Sequence, residues 1–456
     1  MRGRLSTISF TIVLALAGAL VMTTLAVAAT SVPTNFDSSV MPGNEAENAI
    51  AVNPRSPSNV VTMATLPDVP AGLSVNVTFN AGHSWSHRVI GATAGDPLGD
   101  ICCDQQLAWD RFGNLWMTYL VNSSGDVLVA LSTDGGSSFT KVADLQTKFG
   151  DQPSIAAGTN SVWVSFTASP GTQIQAFGAP VTGLGQFGSF SRPENVPSPG
   201  GNGDYGDTAV GPAGQVMVTY QKATNGQGGA DIYTAVDPDG LGPAGFNTPA
   251  LAAHSHVGGF DFIPAQPDRS IDAEANLAWD RSGGAHNGRA YLVWTQETPN
   301  ESDNTDIMLQ HSDDNGATWS PAIKVNDDQT ANSQYDPSIA LDEATGTLAL
   351  SWYDARNDLG TGGGGDTNGI ANDDFQIWAT DSTDGGASFA PNFQVSRGTS
   401  NAPDANSSFD VGDYTHAAFA GGTFWPAWSD NSNSTGNNPD GALHQFDLYT
   451  AKVSVP

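Results

Sequence analysis

The chain has 456 residues, with 16 Lys+Arg against 47 Asp+Glu and a formal net charge of −31. So acidic a surface repels nucleic acid and anionic membranes, which excludes both as partners of the folded domain. Its two cysteines, Cys102 and Cys103, are adjacent, so no framework of disulfides holds the fold and its stability must come from packing.

At the N-terminus, Arg2 and Arg4 precede an apolar run from Ile8 to Val27, and Ala26-Val27-Ala28 offers a small-x-small cleavage site. The pattern predicts a secretory signal peptide over 1–28, with an uncleaved anchor as the alternative. No later segment is long and apolar enough to span a bilayer as a helix. Residues 29–456 are then a single secreted domain, expected as a monomer, in which 14 basic residues face 47 acidic ones. That charge keeps the protein soluble and can attract cations. Gly, Pro, Asp, Asn, Ser and Thr abound and helix-favouring runs are nearly absent, which suits many short strands joined by tight turns.

A repeated unit runs through this region. Each copy has an acidic or amide residue, a strand, a turn, and a second strand rich in aromatics. The copies begin at Glu47, Asp104, Gln152, Asp207, Glu274 and Asp336, with a less regular seventh at Thr415. With Ile50, Leu107, Ile155, Val210, Leu277, Ile339 and Ala418 as anchors, the spacings are 57, 48, 55, 67, 62 and 79 residues. Seven units of this size predict a radial array of four-stranded antiparallel sheets, an all-β propeller of seven blades, with six as the alternative. The segment Asn35-Phe36-Asp37 reads as the outer strand of a blade whose inner three strands come from the C-terminus, which closes the ring and leaves no sheet edge open at the join. The longest connection between units, 247–271, carries His254 and His256 and reads as a possible lid.

A second motif follows the third strand of several units: STDGGSSF at 132–139, SDDNGATW at 312–319, STDGGASF at 382–389 and a weaker TFNAGHSW at 78–85. Its Asp or Asn can bond its own turn, and its Gly supplies positive φ. These stretches resemble the Asp-boxes (BNR repeats) of the sialidase superfamily of β-propellers. The resemblance implies that the motifs are structural, on the outer rim of each blade. It places the ligand face at the opposite end, where the connections lead into each innermost strand. The third and fourth units lack the motif.

On that topology Glu47, Asp104, Gln152, Asp207, Glu274 and Asp336 ring one channel, with Tyr205 in the fourth unit and Tyr414 in the seventh beside them. Like charges this close raise one another's pKa or hold a cation. The structural alternative is that each caps its own strand. Cys102 and Cys103 lie in the same ring, either as two reduced thiols or as a vicinal bridge that could floor a ligand site. Arg356 is expected to project over the mouth, either to clamp a ligand carboxylate or to pair with the acidic ring. The long loop after it offers Asp358, Asp366, Asp373 and Asp374 as oxygen ligands suited to Ca²⁺, although no calcium-loop spacing is present.

In sialidases three arginines bind the substrate carboxylate, a Tyr-Glu pair supplies the nucleophile and an Asp serves as acid/base. The Phe/Tyr-Arg-Ile-Pro motif carrying their first arginine has no counterpart here. Arg55 instead falls in a turn facing away from the mouth, so the family's catalytic set does not carry over. The reading is therefore a secreted, sialidase-like propeller that binds a glycan or other extracellular ligand at an acidic mouth. One alternative is an exo-acting glycoside hydrolase with a divergent catalytic set, for which Asp104, Glu274 and Tyr335 are the first candidates. Another is an extracellular protein-interaction scaffold.

Overall fold

Seven second strands, from Val60–Leu66 and Leu115–Leu120 round to Thr423–Asp430, are almost wholly buried. A strand in the middle of a blade is covered on both faces by neighbouring blades, so it reads as an apolar run rather than an alternation. Trp116, Trp163, Tyr220, Trp294, Trp352 and Trp428, one from each of six such strands, are fully buried fillers of the gaps between blades. The computed structural model describes residues 31–455 apart from 69–70, 94, 146–148, 169–172, 202, 205 and 225. The signal-peptide expectation therefore lies outside the described residues. Among those residues, no helix is long and apolar enough to cross a membrane.

The innermost strands are Ala46–Val52, Gln106–Trp109, Gly150–Ala157, Thr208–Val210, Asn276–Trp279, Gln334–Leu341 and Ala417–Ala420. Each touches the next, and the last touches the first. The ring is closed at seven blades, which settles the choice against six. Closure follows the expected route: Asn35–Asp37 pairs antiparallel with Asp447–Ala451, placing Asn35 opposite Ala451 and Asp37 opposite Tyr449. The Ser38 hydroxyl donates to the Leu448 carbonyl at 2.9 Å and extends the join.

All four copies of the turn motif fold alike. In the 382–389 copy the Ser382 hydroxyl donates to Asp384 at 2.8 Å and accepts the Gly386 N–H at 3.0 Å, while Asp384 takes the Ser388 N–H and hydroxyl at 3.0 and 2.5 Å. The hydrogen bond from the Ser388 hydroxyl, ahead of the cost of burial, holds Asp384 down at about 2. The turns face the preceding blade. A Cβ on Gly136 would come within 2.5 Å of Val61, and the Gly136 carbonyl accepts from Arg88 at 2.7 Å. Their role is to lock blade to blade.

The 247–271 connection is not a free lid. Its first part forms Ala250–Ser255, the outer strand of the fourth blade, which places His254 and His256 at the outer edge. Its second part is a hairpin, Asp261–Ile263 with Gln266–Ile271, fastened across the mouth: Gln266 donates to the Gly412 carbonyl at 2.6 Å and accepts the Val411 N–H at 3.1 Å.

Candidate functional site: an acidic mouth around one arginine

The residues leading each innermost strand do share one end of the channel. Glu47, Asp104, Gln152 and Asp336 sit there at positive φ, between 40° and 55°. Non-glycine residues seldom adopt this conformation. In the blades of Glu47, Gln152 and Asp336 the strand ladder skips a residue at this point, a bulge that re-aims the side chain.

Several of these side chains tie neighbouring blades together, so the structural reading of the repeat holds at the same positions as the ring. The Asp104 carboxylate accepts the Gln152 N–H at 3.1 Å. Asp207 accepts from the Ser154 hydroxyl at 2.6 Å and from the Leu277 N–H at 2.8 Å, spanning three blades. Gln105 reaches the Glu47 carbonyl at 2.5 Å.

The hairpin delivers what the repeat does not contain: Arg269. Its guanidinium bonds the Asp413 carboxylate and lies 3.7 Å from Glu47, and its ring neighbour is Phe409 at 5.8 Å. Asp410 accepts the Asp268 and Arg269 N–H groups, both at 2.8 Å, and the next residue, Ser270, is held at φ 71°. Burial works against the arginine's charge, but Asp413 and Glu47 more than offset it, so it stays a cation.

Around this cation the carboxyls crowd. Burial first, then Asp413, pushes Glu47 up to about 7; burial, then Asp204, pushes Asp151 up to about 6. Asp104, Asp272, Glu274 and Asp336 are raised well above the usual range, by burial before any like-charge neighbour. No hydrogen-bond donor reaches Glu274 Oε2, Asp413 Oδ1 or either Asp336 oxygen. Such groups are held protonated or share protons, and a protonated carboxyl can donate as well as accept.

Access to this ring is through its edge. Asp151 keeps an open surface even though protein crowds around its carboxyl, and Asp204, Asp207, Arg269, Cys102 and Cys103 are half-buried, whereas Glu47, Asp104, Glu274, Asp336 and Asp413 are buried. Cys102 and Cys103 are bridged to each other, and the pair leans on the core of the second and third blades beside Leu120. Asp104 follows them directly.

Two candidate positions, Arg356 and Tyr335, differ from expectation. Arg356 turns outward: it bonds Asp354, Asp327 at 2.7 Å and Asn392 at 3.0 Å, and lies over the Trp378 ring. A buried carboxylate on its own strand and an aromatic face outcompete the solvated mouth. Tyr335 is fully buried, stacked on Tyr353 at 5.2 Å and edge-on to Phe375 at 6.1 Å. Tyr414 lies in the ring with its hydroxyl buried and without a hydrogen-bond partner. Tyr205 is outside the described residues. In the loop after Arg356, Asp358, Asp373 and Asp374 come together, while Asp366 stands apart, accepting the Gly362, Asn368 and Gly369 N–H groups.

Asp151, Asp204, Asp207 and Arg269 are the accessible charged groups among the described residues of the ring. Asp151 adjoins Gln152, which the repeat pattern singled out instead, and the hairpin that supplies Arg269 has no equivalent in the other units.

The channel's opposite end is a separate concavity of about 770 Å³. It is lined by Ile50, Leu107, Val210, Leu277, Ile339 and Ala418, with Arg55, Arg111 and Arg281 at its rim.

No family model matches the chain, and no curated protein matches it. Solved structures with similar coordinates include an α-L-arabinanase of Penicillium chrysogenum complexed with arabinobiose, at 13% identity over 71% of this chain and 91% of the other, TM-score 0.43. The Hadza microbial sialidase Hz136 aligns at 14% identity over 87% of this chain and 73% of its own, TM-score 0.45. The polysaccharide lyase Uly1 aligns at 10% identity over 92% and 91%, TM-score 0.48. The strand topology itself, a seven-bladed antiparallel β-propeller, defines the fold.

Proposed function

We propose that the mouth binds a hydroxyl-rich ligand without negative charge, a neutral or amino-bearing glycan, on a propeller exported from the cell. The observation that carries this is the arginine-poor acidic ring. Among the described residues the one guanidinium there is already engaged by Asp413 and Glu47, and Lys222, next to the Asp204–Gln221 bridge, donates to the Pro199 carbonyl, which leaves no described cation free to hold the carboxylate of a sialic or uronic acid. Asp151 and Asp204 add acceptors for sugar hydroxyls, and the half-buried bridge between Cys102 and Cys103 supplies an apolar surface beside them.

A second reading, glycoside hydrolysis, draws on the Asp151 carboxyl. A carboxyl titrating near 6 at an accessible edge, close to Asp204, has the properties of a general acid.

One experiment separates the two readings. Purified 29–456 and its Asp151→Asn variant are assayed for hydrolysis of a panel of fluorogenic glycosides and for binding to the corresponding oligosaccharides. Binding without turnover, weakened in the variant, supports the binding propeller. Turnover abolished in the variant makes it a hydrolase. Neither binding nor turnover from folded protein overturns both.

A further inference from the structure

The loop between the second and third strands of the sixth blade, 355–373, closes on itself through three acidic side chains. Asp358, Asp373 and Asp374 each present a carboxylate oxygen within 4.8 Å of the others, and all three side chains are buried. Asp358 is 0% exposed, Asp374 1% and Asp373 4%. Three negative charges in so small a buried volume repel strongly, and burial of unpaired charge is costly.

Much of each carboxylate is oriented by the chain. Asp358 accepts the N–H groups of Asp373 and Asp374 at 2.8 and 2.9 Å, and the Asp374 carboxylate takes the Thr367 hydroxyl at 2.7 Å. Asp373 differs. One of its oxygens accepts from Asn368 at 2.9 Å, but the other, Oδ1, is fully buried and no donor reaches it. Its carboxyl lies in hydrogen-bonding reach of Asp358, so the two must share either a proton or a cation. Among the described residues no Lys or Arg pairs with these three acids: Arg356, the nearest guanidinium in sequence, is committed to Asp354 and Asp327.

We infer that Asp358, Asp373 and Asp374 form a calcium site that fixes this loop at the edge of the mouth. The donors are all hard oxygens, with no His or Cys, which suits Ca²⁺ or Mg²⁺ over zinc or copper. Their crowding into a buried site favours Ca²⁺, which accepts several carboxylate oxygens, over Mg²⁺, which keeps most of its waters. The loop also touches the mouth's framework. Asn372, beside Asp373, accepts the Ser333 N–H at 2.7 Å, and Asn332 donates to the Asp358 carbonyl. Ser333 precedes the innermost strand that carries Tyr335 and Asp336. Ordering the loop therefore sets the position of that strand's start. The site is independent of what the mouth binds.

The test uses 29–456 stripped with chelator and titrated calorimetrically with CaCl₂ and, separately, MgCl₂. The expected result is one Ca²⁺ bound per chain, a higher thermal midpoint with Ca²⁺, and weaker Mg²⁺ binding. Asp373→Asn should lose the Ca²⁺-dependent rise and should melt no lower than the metal-free parent, because one of three crowded charges is gone. Asp366→Asn should bind Ca²⁺ like the parent. A measurement on the unmutated chain stands beside these: brief chymotrypsin digestion at Leu359, which is 59% exposed, should be slower with Ca²⁺ than with EDTA. No binding of Ca²⁺ by the parent, equal affinity for Mg²⁺, or undiminished binding by Asp373→Asn would each overturn the assignment.

Discussion

Gln152, from the third blade, donates its side-chain N–H to the Asp413 carboxylate of the seventh blade at 3.0 Å, joining residues 261 apart in sequence. The same carboxylate holds Arg269 from the hairpin between the fourth and fifth blades. Three distant parts of the ring thus meet at one buried acid, and the mouth is a structural hub as well as a candidate site.

Removing the cation from that hub should be expensive. Arg269→Ala leaves Asp413 and Glu47 buried without a counter-charge, and breaking a buried pair on one side costs about 3 kcal/mol or more. Denaturant unfolding should show that loss, with Arg269→Lys recovering part of it. A variant as stable as the parent would mean that the carboxyls are neutral without the arginine.

The acidity of the molecule predicts an inverted pH profile. Glu45, at the closure of the ring, is pushed up to about 7 by burial, and Glu47 reaches a similar value. Asp447, beside Asp37 and Glu45 on the joining strand, is pushed up to about 10, again by burial first. A carboxyl whose folded pKa exceeds its unfolded one binds more protons in the native state, so its contribution is fully present below about pH 4 and is lost as pH rises through the folded value. The thermal midpoint should therefore fall between pH 5 and pH 8. Glu45→Gln should flatten that fall. A midpoint that rises across this range contradicts the assignment of these acids.

The outer-rim turns should be separable from binding. Asp384→Ala removes the acceptor of the Ser388 N–H and hydroxyl and should destabilise by about 1–2 kcal/mol. Oligosaccharide affinity should stay unchanged. Loss of binding in a folded variant would show that the rim communicates with the mouth.

The cysteine bridge makes a chemical prediction. Intact mass of 29–456 should rise by two hydrogen atoms on reduction, and the double variant Cys102→Ser, Cys103→Ser should fold yet bind ligand more weakly. An unchanged mass would place two thiols at the mouth instead.

What the sequence made legible follows from repetition. Seven anchors from Ile50 to Ala418 marked the innermost strands, and Asn35-Phe36-Asp37 marked the closing strand, because each blade must solve the same burial problem. The side chains that depart from the repeat were not legible. Arg269 enters on a hairpin found in one unit alone, so no periodicity pointed to it. Arg356 was expected over the mouth, yet Asp354, two residues earlier at the end of the strand, captures it. Tyr335 was a first candidate should the protein be a glycoside hydrolase, but alternate strand residues point apart, and its ring joins Tyr353 and Phe375 in the core. Among the loop acids, spacing could not tell Asp366, which caps its own turn, from the three that converge.

The most direct test compares affinities of 29–456 for matched oligosaccharides that differ only in a terminal sialic acid, measured by calorimetry at pH 7. A mouth with one engaged arginine in a ring of acids predicts that the neutral member binds and that the sialylated member binds at least tenfold more weakly. Preference for the sialylated member would contradict the account, because it requires a free cation at the mouth that Arg269, bound to Asp413 and Glu47, does not provide.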